Sequence, residues 1–236
     1  MGAVWYQGES NSWDYPSYPC LQEAMVGAWR QLFQSEFFFI YTQLSTWQAG
    51  GYVLPSMRDA QTSILLSGTP GVGMVTAADL GDPDSPYGDI HPRNKMELGR
   101  RMALAASAIQ YGSSIPYEGP VVEKIEPIVN PVFGSSLRVT FQSHSCGAGC
   151  KILPAQICPP SSSSVNGGCG YVLLKYGSWT ESLASVVLHN SNTVDFIPNE
   201  FRSENVTSLS YGWGDYPLMV VYNSYNIPLI PFVSNF

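Results

Sequence analysis

Charge is scarce in this chain. Of 236 residues, 11 are Lys or Arg and 18 are Asp or Glu, 12% in all, against about 25% in an ordinary soluble domain. The composition excludes a charge-driven disordered chain, and a net charge of −7 excludes a basic nucleic-acid binder. Convincing membrane spans are missing as well. The uncharged stretches Phe37 to Met57, Ile152 to Leu174 and Tyr216 to Phe236 are long enough to raise the question. Gln43, Gln48 and Pro55 interrupt the first, Ser, Gly and Cys fill the second, and Asn223, Asn226 and three prolines break the third. Each would leave polar groups in hydrocarbon, so no transmembrane helix is expected. The opening residues, Met1-Gly2-Ala3-Val4-Trp5-Tyr6-Gln7, carry neither a basic n-region nor the apolar run of a signal peptide. They read as the interior of a strand, and the expectation is that the sequence starts inside a larger unit.

What is present divides into two textures. Residues 1–115 alternate helix and strand. Leu21, Ala24, Met25, Ala28, Trp29, Leu32 and Phe33 follow the i, i+3, i+4 spacing of an amphipathic helix over Tyr18 to Phe33. Phe37 to Leu44 and Val72 to Leu80 are continuous apolar runs of the kind buried on both faces of a parallel sheet. Pro55 to Leu66 can form a second helix. A third, Arg93 to Tyr111, starts after Pro92 and stops at Gly112, with Met96, Met102, Ala103, Ala106 and Ile109 expected toward the core. The alternation predicts an α/β domain with a parallel sheet. Residues 116–236, divided from the first part close to Tyr117-Glu118-Gly119-Pro120, are rich in Pro, Gly and Ser with short alternating runs. Strands are expected at Val121 to Ile128, Leu137 to Phe141, Tyr171 to Tyr176, Ala184 to His189, Val206 to Tyr211 and Pro217 to Tyr222, which together suggest a β-sandwich. Ser161 to Ser164 reads as a loop.

Histidine is rare, and general-base candidates at neutral pH are correspondingly few. His144 lies among Ser and Cys, and His189 alternates within a strand-like run. His91 stands apart. It closes Gly81-Asp82-Pro83-Asp84-Ser85-Pro86-Tyr87-Gly88-Asp89-Ile90-His91-Pro92, after a predicted strand and directly before a helix. Loops leaving strand C-termini line the ligand crevice of an open α/β sheet. An imidazole base also needs an acceptor that holds its tautomer, and Asp82, Asp84 and Asp89 are all at hand. Near the start, Val4-Trp5-Tyr6-Gln7-Gly8-Glu9-Ser10-Asn11 is a strand running into a polar loop, and the Gln7 amide suits an oxyanion donor. Ser10 lacks the second glycine of a nucleophile elbow.

The segments Trp5-Tyr6-Gln7-Gly8-Glu9-Ser10-Asn11, Trp29-Arg30, Gln43-Leu44, Arg58-Asp59-Ala60-Gln61 and Asp89-Ile90-His91-Pro92-Arg93-Asn94-Lys95, taken in that order, resemble the sialate O-acetylesterase family of the SGNH hydrolases. A weaker likeness continues through Tyr117-Glu118-Gly119-Pro120 and Tyr211-Gly212-Trp213. The resemblance implies an SGNH-like parallel sheet, incomplete here, followed by a β-rich C-terminal domain. It also implies a serine esterase that removes acetyl groups from sugar hydroxyls, O-acetylated sialic acid above all, with no cofactor and no metal. His91 matches the catalytic histidine, Gln7 the oxyanion donor, and Glu9 a brace of that loop, with Asn11 beside it. Arg58 and Gln61, three apart on one helical face, either meet a sugar carboxylate or hydroxyl, for which the bidentate fork of Arg58 is suited, or Arg58 ties down the helix. The common pattern places an Asp three residues before the His, where this chain has Gly88. Asp89 is two before, so either Asp89 or a backbone carbonyl orients His91.

No Gly-Gln-Ser-Asn nucleophile motif of the family occurs in these residues. The resemblance therefore covers only its C-terminal part, and the chain alone is expected to be inactive and poorly soluble, its missing N-terminal portion serving as partner. The alternative is a non-catalytic carbohydrate-binding or structural remnant. Cys20 lies in the first part, and Cys146, Cys150, Cys158 and Cys169 cluster in the second. Loosely spaced cysteines in a weakly charged chain favour disulfides over zinc. With the sequon Asn205-Val206-Thr207 they suggest a secreted or lysosomal, lumenal glycoprotein.

Overall fold

The computed structural model describes residues 1–47, 53–159, 169–177 and 180–236. The serine run at 161–164 lies outside them, as do parts of two of the uncharged stretches. No helix among the described residues is long and apolar enough to cross a membrane. The chain folds as two compact units, Met1–Tyr117 with Gly214–Tyr216, and Glu118–Cys158 with Cys169–Trp213 and Pro217–Phe236.

In the first unit, β1 (Gly2–Trp5), β2 (Phe38–Gln43) and β3 (Val72–Thr76) form a parallel sheet in the order β1-β2-β3. Gly2 pairs with Phe38, and Phe39 with Val72. The α-helices α1 (Tyr18–Phe33), α2 (Val53–Leu66) and α3 (Lys95–Tyr111) follow the three strands in turn, as parallel connections require. Strand β3 stops at Thr76, short of the expected Leu80, because the Thr76 hydroxyl accepts the Ala78 N–H and Leu80 N–H turns back to the Ala77 carbonyl. Helix α3 starts at Lys95, two residues later than expected. Asn94 is its N-cap, with its side chain accepting the Glu97 N–H.

Helix α1 is rotated from the face its apolar spacing suggested, whereas in α3 the expected Met102, Ala106 and Ile109 do pack against the core and Met96 and Ala103 are exposed. In α1 the buried positions are Tyr18, Gln22, Val26 and Arg30, while Leu21, Leu32 and Phe33 are exposed. Arg30 fixes this rotation by donating to the Phe37 and Pro70 carbonyls. Trp29 stands edge-on to both Trp5 and Phe39, binding α1 to β1 and β2. In α3, Leu98, Arg101 and Ala105 are buried and Met96 is 88% exposed. The Arg101 guanidinium grips Asp79 through two hydrogen bonds of 2.6 and 2.8 Å and also reaches Glu97 and the Thr76 carbonyl. A paired, fully hydrogen-bonded charge can be buried where a lone one cannot. Ile40, Val75, Ala77, Leu80, Leu98 and Ala105 form the apolar layer beneath α3.

In the second unit β4 (Val122–Asn130), β5 (Gly134–Phe141), β6 (Lys151–Ile152), β7 (Cys169–Gly170), β8 (Val172–Tyr176), β9 (Thr180–Asn190), β10 (Thr193–Pro198), β11 (Val206–Tyr211), β12 (Tyr216–Pro217), β13 (Val221–Tyr222) and β14 (Phe232–Asn235) follow in order. Seven of them make one antiparallel sheet, β14-β11-β8-β9-β10-β5-β4. Strand β9 pairs with β8 through residues 180–183 and with β10 through residues 184–190. The sheet curls, and Leu137, Val139 and Phe141 share a core with Leu174, Tyr176, Leu209 and Tyr211. The expected two-layer packing is thus reached by one bent sheet. The expected Pro217 to Tyr222 strand is two short pieces, β12 and β13. Strands β10 and β14 had no counterpart in the sequence reading. The four cysteines of this unit pair as Cys146–Cys150 and Cys158–Cys169, and Cys20 is a free, exposed thiol.

Candidate active site

The C-terminal ends of the three parallel strands carry the sequence-selected residues of the first unit. β1 leads into Tyr6 and Gln7, β2 into Leu44, Ser45 and Thr46, and β3 into the Ala77 to Asp82 turn. A loop at this end of an open sheet faces the crevice where α/β proteins bind ligands.

Gln7 is held from three sides. Tyr18 donates its hydroxyl to the Gln7 main-chain carbonyl at 2.9 Å and to its Oε1 at 3.2 Å. The Gln7 amide donates to Asn11 Oδ1 at 2.5 Å, and the Gln61 amide donates to the Gln7 carbonyl at 3.3 Å. Oε1 is thereby fixed as the acceptor end, so the NH2 end points along a defined direction. Gly8 has φ +145, a backbone conformation that an L side chain rarely adopts, and an added Cβ would lie 2.8 Å from Met57 Cε. After it the chain enters a short 3-10 helix, Glu9–Asp14, in which Ser12 is buried and donates to the Glu9 carbonyl. Ser10 is exposed.

Arg58 and Gln61 are both buried. Arg58 is 1% exposed, and its guanidinium donates to the carbonyls of Leu44, Ser45, Gly214 and Asp215. Burial pushes its pKa down to about 10, against the pull of Asp215. Gln61 is 0% exposed and binds the Gln7 and Thr42 carbonyls and the Leu44 N–H. The helical spacing did put both on one face, but that face packs on the strand ends and holds their loops in place. Gln43 does the same work one layer down, donating to Thr62 and accepting from Thr76.

His91 ends a loop tied by successive turns. Asp82 O accepts from Ser85, Ser85 O from Gly88, and Gly88 O from His91. The Ser85 hydroxyl donates to the His91 carbonyl at 2.7 Å, and Arg93 clamps Asp82 through Nε at 2.6 Å and Nη2 at 2.8 Å. These hydrogen bonds from Arg93 hold the Asp82 carboxyl below the ordinary carboxylate range. The imidazole itself is exposed and makes no hydrogen bond or ion pair among the described residues. Gly88 has φ +89; an Asp at that position would sit in the left-handed region, which Gly occupies without penalty.

The two segments meet through Lys95. Its Nζ lies 4.7 Å from the centroid of the Tyr6 ring, within cation–π range. Burial lowers the Lys95 pKa, and the charge of Glu9 opposes that shift. Tyr6, with Ser45 beside it, has its hydroxyl pKa raised first by burial and then by Glu9. The Tyr6 hydroxyl, Ser45 Oγ and Thr46 Oγ1 are buried without hydrogen-bond geometry to any described partner. Sequence reasoning missed Tyr18, Lys95 and Asp215. Nothing local marks Tyr18 or Asp215, whose roles depend on residues 11 and 157 positions away.

No group of three or more His, Cys, Asp or Glu able to hold a metal occurs among the described residues. No family model matches the chain. Curated relatives do. It is 35% identical to the sialate O-acetylesterase of Rattus norvegicus across 66% of this chain and 34% of that protein. The Mus musculus enzyme of the same name is 32% identical, across 84% of this chain and 43% of the relative. The Homo sapiens one is 34% identical, across 70% and 37%. The chain thus spans roughly a third to two fifths of the relatives' length. Among solved structures, a carbohydrate acetylesterase from Xanthomonas citri aligns with a TM-score of 0.77 at 23% identity, covering 99% of this chain and 50% of that one. That likeness establishes the fold.

Proposed function

The chain is related to the sialate O-acetylesterase family over part of its members' length, and from that premise we propose that residues 1–236 supply the oxyanion donor and the general base of an acetyl esterase acting on O-acetylated sugars, O-acetylated sialic acid first among them. The nucleophilic serine belongs to a segment outside these residues. The observation that carries the reading is the contact of Lys95 with Tyr6, which sets the His91-to-Lys95 segment beside the Tyr6-to-Asn11 segment at the C-terminal end of one parallel sheet.

In this reaction the serine oxygen attacks the acetyl carbonyl. Its proton passes to His91, which returns it to the sugar oxygen as the ester bond breaks. The oxyanion that forms accepts from the Gln7 amide, whose orientation Tyr18, Asn11 and Gln61 have already fixed, so little reorganisation is needed in the transition state. Asp89, two residues before His91, or a backbone carbonyl orients the imidazole. Glu9 sets the local field on Lys95. Water then releases acetate from the acyl-enzyme by the same base.

Three features support a serine from outside. Among the described residues β1 is an edge strand, paired on one side only. Leu21, Leu32 and Phe33 turn the apolar stripe of α1 to solvent. Gln22, 4% exposed, has both amide atoms without a hydrogen-bond partner among the described residues and lines a cavity of about 90 Å³ with Trp5, Gln7, Asn11, Tyr18 and Met25. A buried amide costs free energy unless it is hydrogen-bonded, and an extended segment beside β1 would offer Gln22 backbone partners. The disulfides suit a secreted or lysosomal compartment.

The test joins the N-terminal part of a sialate O-acetylesterase to residues 1–236 and measures acetate release from O-acetylated sialic acid. The joined protein releases acetate and loses that activity on His91→Ala, while residues 1–236 alone release none. Acetate release indifferent to His91, or His91-dependent release by residues 1–236 alone, contradicts the reading.

A further inference from the structure

We propose that Lys95 is the residue that recognises the carboxylate of an acidic sugar at this site; the inference rests on the acetyl-esterase reading for the substrate class. The first unit contains six cationic side chains: Arg30, Arg58, Arg93, Lys95, Arg100 and Arg101. Five are engaged. Arg30 donates to two backbone carbonyls, Arg58 to four, Arg93 to Asp82, Arg100 to Glu97, and Arg101 to Asp79 and Glu97. The Lys95 side chain makes neither a hydrogen bond nor an ion pair among the described residues, and its ammonium sits over the Tyr6 ring face. The charge of Glu9 acts on it through space. A cation left without an anionic partner, at the strand ends and four residues after His91, is placed to take one from solution.

Two further features fit an anion there. Lys95 is the first residue of the 17-residue helix α3, whose N-terminal N–H groups carry partial positive charge. The Tyr6 ring holds the ammonium against its face at 4.7 Å, which limits the freedom lost when a ligand binds. Arg58, the residue whose chemistry best suited a carboxylate, is buried against carbonyls, so the role passes to the cation of the unit whose side chain makes no hydrogen bond or ion pair among the described residues.

The experiment uses residues 1–236 and N-acetylneuraminate, which has no acetyl ester, with its methyl ester as the uncharged control. Binding is followed by NMR through the Lys95 side-chain signals and by titration. Lys95→Met is expected to weaken binding of the free acid about tenfold or more while changing methyl ester binding less than about twofold, and Lys95→Arg is expected to keep most of the affinity. Unchanged thermal midpoints for both variants confirm that the fold is intact, as an exposed side chain predicts. Equal binding of the free acid by wild type and Lys95→Met, equal loss for both ligands, or no response of Lys95 to the free acid at millimolar concentration overturns the proposal. Because no hydrolysis is read, a failure of the esterase reading appears separately, as absent acetate release from the joined protein with Lys95-dependent binding preserved.

Discussion

The side-chain amide of Gln61 donates to the main-chain carbonyl of Gln7 at 3.3 Å, and its carbonyl accepts the Leu44 N–H at 2.9 Å. One buried side chain on α2 thus ties together the loops that leave β1 and β2. The sequence suggests that Gln61 meets a sugar, and the structure makes it the brace of the residue proposed to meet the oxyanion.

Gln61→Leu removes that brace and leaves the Leu44 N–H and the carbonyls of Gln7 and Thr42 short of a partner. Unpaired buried polar groups cost about 1–3 kcal/mol each, and relaxation recovers part of that, so a loss of about 2–4 kcal/mol in urea unfolding is expected. In the joined enzyme kcat falls with it. Stability equal to wild type would show that the Gln7 loop needs no such support.

Arg58→Met is expected to destabilise the first unit by about 3–5 kcal/mol, since it strands four carbonyls and the neighbouring Asp215. Binding of N-acetylneuraminate by the fraction that remains folded is unchanged. Selective loss of sugar binding with full stability would restore a substrate contact to Arg58.

Gly8→Ala forces an L side chain to φ +145 and a Cβ into the space beside Met57 and Gln61. Strain of this kind costs about 1–3 kcal/mol. The expected outcome in the joined enzyme is a larger fall in kcat than rise in KM, because the oxyanion donor is displaced while the sugar contacts remain. A neutral substitution would contradict a fixed Gly8 conformation.

The Asp82–Arg93 clamp is pH-dependent in a defined direction. Hydrogen bonds from Arg93 lower the Asp82 pKa in the folded protein, so the stabilisation is complete above the ordinary carboxylate range and is lost as pH falls through the depressed value. Side-chain carboxyl shifts of Asp82, followed by NMR, should titrate below the usual Asp range, and Arg93→Ala should return them to it. Amide exchange in the 82–91 loop should rise at acid pH in wild type and at all pH values in the variant. An Asp82 titration that ignores Arg93→Ala would remove the clamp from the account.

The alternation of elements in the first unit was legible because runs such as Phe37 to Leu44 and Val72 to Leu80 are too apolar and too short to be anything but buried strands. The face of α1 was less so. Apolar spacing placed Leu21, Leu32 and Phe33 inward, and buried charge decided otherwise: Arg30, anchored to an acceptor distant in sequence, sets the rotation of α1. Strand β10 was not read although Asp195 alternates with Val194 and Phe196; its carboxylate is answered by Arg138 from β5 at 2.7 Å. In the site, Gln7 and His91 stood out by residue type and loop position. Arg58 suggested a ligand contact because the chemistry of an arginine is local, while its burial depends on Gly214 and Asp215, more than 150 residues away. Lys95 was visible within a motif, but that it alone among six cations lacks a partner emerges only when the other five are accounted for.

The most direct test of the account locates the nucleophile. The joined enzyme is treated with a fluorophosphonate that labels activated serines, and the adduct is mapped by mass spectrometry. The account predicts a single adduct on a serine outside residues 1–236, lost on His91→Ala. An adduct on Ser10 or any other serine within residues 1–236, or labelling that persists without His91, contradicts it.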